Sequence, residues 1–101
     1  EIKEFAIKLI NGVKSNIIAI DALIEKTLVN WKLTRIPVAD KTLLRLGIFE
    51  IVMFADIVKQ VTISEIIKLA KIYSDIEAFK YINGILDRFE KTGDFANALR
   101  E

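Results

Sequence analysis

From Ile2 to Trp31 apolar residues recur at positions 2, 5, 6, 9, 10, 13, 17, 20, 24, 28 and 31, among others. Steps of three and four keep one helix face apolar along the whole stretch. Lys14-Ser15-Asn16 is the expected place for a break. The segment Trp31-Lys32-Leu33-Thr34-Arg35-Ile36-Pro37 holds the only proline. That proline ends the first helical region and seats the start of the next.

Residues 38 to about 58 carry Leu43, Leu44, Leu46, Ile48, Phe49, Ile51, Val52, Phe54 and Ile57, apolar on most sides of a helix. Such a helix belongs in the middle of a bundle. Two capping boxes follow, Thr62-Ile63-Ser64-Glu65 and Ser74-Asp75-Ile76-Glu77. In each, a hydroxyl and a glutamate three residues on can satisfy each other's orphan backbone donors. They predict helix starts near 63 and 75, joined by a very short loop. No segment alternates with period two between turn residues, so no strand is expected. The chain reads as all-α, one helical bundle over residues 1–101.

The stretch Phe79-Lys80-Tyr81-Ile82-Asn83-Gly84-Ile85-Leu86-Asp87-Arg88-Phe89 sets an Asn-Gly pair inside an apolar pattern. Asn-Gly favours a hairpin turn, but flanks spaced by three and four residues demand a helix. On that helix Phe79, Ile82, Ile85, Leu86 and Phe89 face the core. Glu77, Tyr81, Gly84 and Arg88 face outward, with Lys80 beside them. A glycine inside a helix costs about 1 kcal/mol relative to alanine, and an outward site offers no core packing in return. An aromatic, a glycine and two basic residues on one face suit RNA, whose bases stack on aromatics and whose phosphates meet Lys or Arg. A solvated face with a tolerated glycine, or the seat of another helix, remains the alternative. Asn83 is expected as a buried amide at the core edge. The tetrad Ile10-Asn11-Gly12-Val13 echoes Ile82-Asn83-Gly84-Ile85, a match too short to argue for duplication.

The chain contains no cysteine and no histidine, which removes disulfides, thiolate or imidazole nucleophiles and the commonest zinc ligands. No two acidic residues share an obviously apolar setting, so no catalysis and no cofactor are expected. Fifteen basic against 14 acidic residues leave a net charge of +1. Any nucleic-acid contact therefore rests on a local patch. Arg45 and Glu50, charged within the most apolar helix, are expected as structural ties. Trp31 reads as a packing anchor, and Lys68 with Lys71 as a solvated stripe. Glu50 and Asp56 interrupt the most apolar region, Ile48 to Val58, so no membrane span is expected. With Glu1 first and no signal-like segment, the chain reads as a cytoplasmic fragment or one missing its first residues.

Four blocks resemble the NusB family of transcription antitermination factors. They are Trp31-Lys32-Leu33-Thr34-Arg35, Asp40-Lys41-Thr42-Leu43-Leu44-Arg45-Leu46-Gly47-Ile48-Phe49-Glu50, Ile63-Ser64-Glu65-Ile66-Ile67-Lys68-Leu69-Ala70-Lys71 and Phe79-Lys80-Tyr81-Ile82-Asn83-Gly84-Ile85-Leu86-Asp87. Their order and spacing match the family over nearly the whole chain. The resemblance implies an all-helical, non-catalytic domain that pairs with the ribosomal protein doubling as NusE. Together the two hold a boxA-type RNA, load an antitermination complex onto RNA polymerase, and serve ribosomal RNA synthesis. By position it implies RNA contact at Lys59, Glu77, Lys80 and Tyr81, which Gly84 and Arg88 join by the helix-face argument. It implies contact with the protein partner at Arg35 and Asp40.

Two departures accompany the match. The chain is expected to lack the family's arginine-rich opening helix ahead of Glu1, and the loop Asp56-Ile57-Val58-Lys59-Gln60-Val61 lacks the family's proline. Two other readings stay open: the NusB-like module of an RNA cytosine methyltransferase, and a structural helical unit that forms a homodimer.

Overall fold

Five α-helices follow one another in the computed structural model, which describes residues 2–29, 32–54, 56–92 and 99. They are α1 (Ile2–Ser15), α2 (Ile17–Thr27), α3 (Val38–Met53), α4 (Lys59–Tyr73) and α5 (Ala78–Thr92), with a 3₁₀ turn at Leu33–Arg35. No strand occurs among the described residues. No helix among them is long and apolar enough to cross a membrane.

The break between α1 and α2 falls at the expected place. Asn16 is buried, and its side-chain Nδ2 donates to the carbonyl of Gly12 at 2.8 Å. Its φ of −119° and ψ of 16° leave the helical region. Pro37 stands as the N-cap of α3, whose first residue is Val38. Trp31 lies outside the described residues.

Helix α3 is the central element and packs against each of the other four helices. Leu44 and Ile48 are fully enclosed there, meeting a core built from Ile20 and Ile24 of α2, Ile66 and Ala70 of α4, and Ile82 and Leu86 of α5. Each such isoleucine or leucine contributes about 1.5–3 kcal/mol by leaving water. Burial on nearly all sides explains why α3 shows no polar stripe.

Four boundaries differ from the sequence reading. Helix α2 ends at Thr27, although the apolar spacing continues to Trp31. Helix α3 ends at Met53 rather than near 58. The chain bends at Phe54, whose ring lies 5.3 Å from that of Phe5 and 6.0 Å from that of Phe49. Aromatic packing onto α1 outweighs continuing the helix. Helix α4 starts at Lys59, so Thr62 sits inside it. The Thr62 hydroxyl is buried and donates to Glu50 Oε1 at 3.2 Å, which ties α4 to α3 and leaves it unable to cap. The box at 74–77 does not open α5 either. Ser74 instead closes α4, donating its N–H to Ala70 at 2.9 Å, and α5 begins at Ala78 after a tight turn. The connection is as short as expected, four residues from Ser74 to Glu77.

Arg45 and Glu50 are structural ties, as expected. Arg45 Nε and Nη2 each donate to an oxygen of Asp21 at 2.8 Å, joining α3 to α2. That bidentate bond raises the Arg45 pKa further.

Candidate nucleic-acid interface

Helix α5 turns Ile82, Ile85, Leu86 and Phe89 into the core. By helical spacing the opposite side carries Tyr81, Gly84 and Arg88. Gly84 is exposed, and a Cβ added to it would meet no atom within 4 Å. No neighbouring part of the described fold requires a glycine there. Gly12 shows the contrast: a Cβ at that position would lie 2.0 Å from Cζ of the buried Phe49 ring, so the glycine is what lets α1 approach α3.

Tyr81 is only half-buried, which the helix-face reading did not anticipate. Its hydroxyl donates to Oδ2 of Asp40 in the first turn of α3. Asp40 itself is only 3% exposed. Asp40 and Tyr81, assigned in the sequence to two different partners, are therefore directly bonded. Pro37, Asp75, Glu77 and Ala78 complete a shallow groove around that pair.

Arg88 lies one turn beyond Gly84 and donates from Nη1 to the carbonyl of Thr27 at 2.9 Å. Thr27 is the last residue of α2, so the guanidinium satisfies a carbonyl left without an intrahelical partner and sits at the negative end of that helix. Leu28, Val29, Tyr81, Gly84, Ile85 and Arg88 together line a recess of about 150 Å³. Leu28 and Val29 are not among the site residues that the sequence suggests. Val29 is 56% exposed because α2 stops at Thr27, two residues before it.

Glu77 immediately precedes α5 and pairs with Lys80 across 2.8 Å, both side chains well exposed. An exposed pair of this kind contributes little to stability. Arg35 ends the 3₁₀ turn, exposed, two residues before Pro37 of the groove. Lys59 stands apart. It is the first residue of α4 beside Gln60, which reaches Glu90 near the far end of α5. Ten residues separate Glu90 from Lys80, about 15 Å along a helix.

Two expectations on the other flank of α5 are corrected. Asn83 is exposed rather than buried, and Phe79 is half-buried rather than central. Both line a groove between α4 and α5 with Lys68 and Lys71, where the Lys71 ammonium sits 4.9 Å from the Phe79 ring centre. The helix wheel places 79 and 83 at the edge of the core arc, where the groove beside α4 leaves them open.

The NusB family model matches residues 1–91. The transcription antitermination protein NusB of Listeria monocytogenes is 46% identical over 79 residues, covering 78% of this chain and 62% of that protein. Its namesake from Thermodesulfovibrio yellowstonii is 45% identical over 91 residues, 90% of this chain and 60% of the relative. A crystal structure of NusB from Thermotoga maritima superposes with a TM-score of 0.84 at 44% identity, covering 88% of this chain and 63% of that one. The chain thus spans about three-fifths of the length of the curated relatives it matches.

Proposed function

The chain belongs to the NusB family, and from that membership we propose that it acts in transcription antitermination, holding a boxA-type RNA jointly with the ribosomal protein NusE. It works by binding in the cytoplasm, without catalysis, and reaches the RNA polymerase elongation complex through that RNA and NusE. The observation that carries this reading is the outward face of α5. There a helix-interior glycine with no packing role lies between an anchored tyrosine and an anchored arginine. Flat aromatic and guanidinium groups offer stacking surfaces to unpaired bases, and Lys80 beside them offers a cation to phosphate. The groove at Asp40, next to Arg35, is the place for NusE. Its contact with Tyr81 couples the protein-binding and RNA-binding surfaces.

The test is fluorescence anisotropy of a boxA-type RNA titrated with the chain, with and without NusE, across a salt series. Sequence-selective binding that NusE strengthens and salt weakens is the expected result, and the salt slope counts the phosphates engaged. Absence of binding in both conditions overturns the reading.

A further inference from the structure

Resting on that RNA reading, we propose that the recess over Gly84 receives one unstacked nucleobase of the bound strand. Tyr81 lies three residues before Gly84 and Arg88 four residues after it. Both stand on its face of α5, one turn to either side. The gap between them spans about 10 Å along the helix, and nothing projects into it from Gly84.

Size selects the occupant. The recess holds about 150 Å³, some five waters' worth at about 30 Å³ each, and pockets for drug-sized ligands begin at about 300 Å³. One flat ring fits that volume. The flanking groups select it again, because a phenol ring and a guanidinium plane both stack on bases. The apolar Leu28 and Val29 at the side suit a ring face better than a phosphate. Lys80, between this face and the α4 flank, is placed for the phosphate that follows.

The flanking groups are also held from outside α5. Tyr81 is fixed by Asp40 of α3, and Arg88 by the last carbonyl of α2. The bond to Thr27 uses one of the five guanidinium N–H donors. Three helices thus set the recess before any ligand arrives, which reduces the ordering cost on binding. Asp40 acts here as a positioning residue through Tyr81.

The test uses boxA-type RNAs in which a single abasic site is moved along the strand, titrated by anisotropy against the wild-type chain and Gly84→Leu with NusE present. Leucine is a good helix former, and its Cβ meets no atom within 4 Å at this position, so Gly84→Leu should melt at or above the wild-type temperature. The expected result has two parts. In the wild type, one abasic position weakens binding about 10-fold, the loss of one stacked base. In Gly84→Leu, intact RNA is weakened by a similar factor and that same abasic site costs nothing more. Full affinity of Gly84→Leu for intact RNA overturns the recess, as does a loss that stays additive with every abasic site. A wild-type chain that binds none of these RNAs overturns the RNA reading itself.

Discussion

Tyr81 of α5 donates its hydroxyl to the carboxylate of Asp40, a nearly enclosed residue of α3. The bond joins two helices 41 residues apart in sequence. Tyr81→Phe leaves a buried carboxylate short of a donor, and should destabilise by about 1–3 kcal/mol. Asp40→Ala in the Tyr81→Phe background should then cost less than in the wild type. Urea unfolding of the four proteins in the cycle gives the coupling, and strict additivity would contradict the bond.

The two Asn-Gly tetrads predict opposite outcomes for the same substitution. Gly84→Ala should stabilise by about 0.4–1 kcal/mol, because a helix-interior glycine is replaced where nothing crowds the new methyl. Gly12→Ala drives that methyl into the Phe49 ring, which is buried and packed near Phe54. A net loss of about 1–3 kcal/mol is expected from overpacking. Thermal unfolding reads both signs directly.

Glu50 predicts a pH dependence. Its pKa is raised, first by burial, with the hydrogen bond from Thr62 pulling it down and the charge of Glu65 pushing it up. The native state therefore holds this proton to higher pH than the unfolded chain does. Its stabilising effect is complete below the unfolded pKa of about 4.3 and is lost as pH rises through the native value. Glu50→Gln keeps an acceptor for Thr62 and mimics the protonated form. It should melt higher than wild type at pH 7, with the advantage shrinking towards pH 4. A gain that is constant across that range would contradict this assignment.

The α2–α3 tie should matter at neutral pH. Asp21→Ala removes both acceptors of the Arg45 guanidinium, and about 1–2 kcal/mol should be lost after allowing for partial solvent screening. Asp21→Asn keeps one acceptor and should lose less. Chemical denaturation in low and high salt separates the ionic part.

Much of this arrangement is legible in the sequence because burial imposes it. The spacing of Ile82, Leu86 and Phe89 fixes which way α5 faces, and Gly84 follows on the opposite side. The density of leucine and isoleucine in α3 marks its central place. The capping boxes mislead because a local pattern cannot tell whether a hydroxyl is needed elsewhere: Thr62 is drawn inward by Glu50, and Ser74 closes one helix instead of opening the next. The early end of α3 depends on Phe54 meeting Phe5, 49 residues away by number. The Asp40 contact to Tyr81 and the Thr27 contact to Arg88 are likewise tertiary, so the recess they frame has no signature in any single segment.

The most direct measurement is an amide chemical-shift map of the ¹⁵N-labelled chain titrated with a boxA-type RNA in the presence of unlabelled NusE. Binding across the outward face of α5 puts the largest RNA-dependent changes at Lys80, Tyr81, Gly84 and Arg88, with Leu28 and Val29 responding alongside. Changes concentrated at Lys68, Lys71 and Asn83, with the outward face of α5 silent, would contradict it.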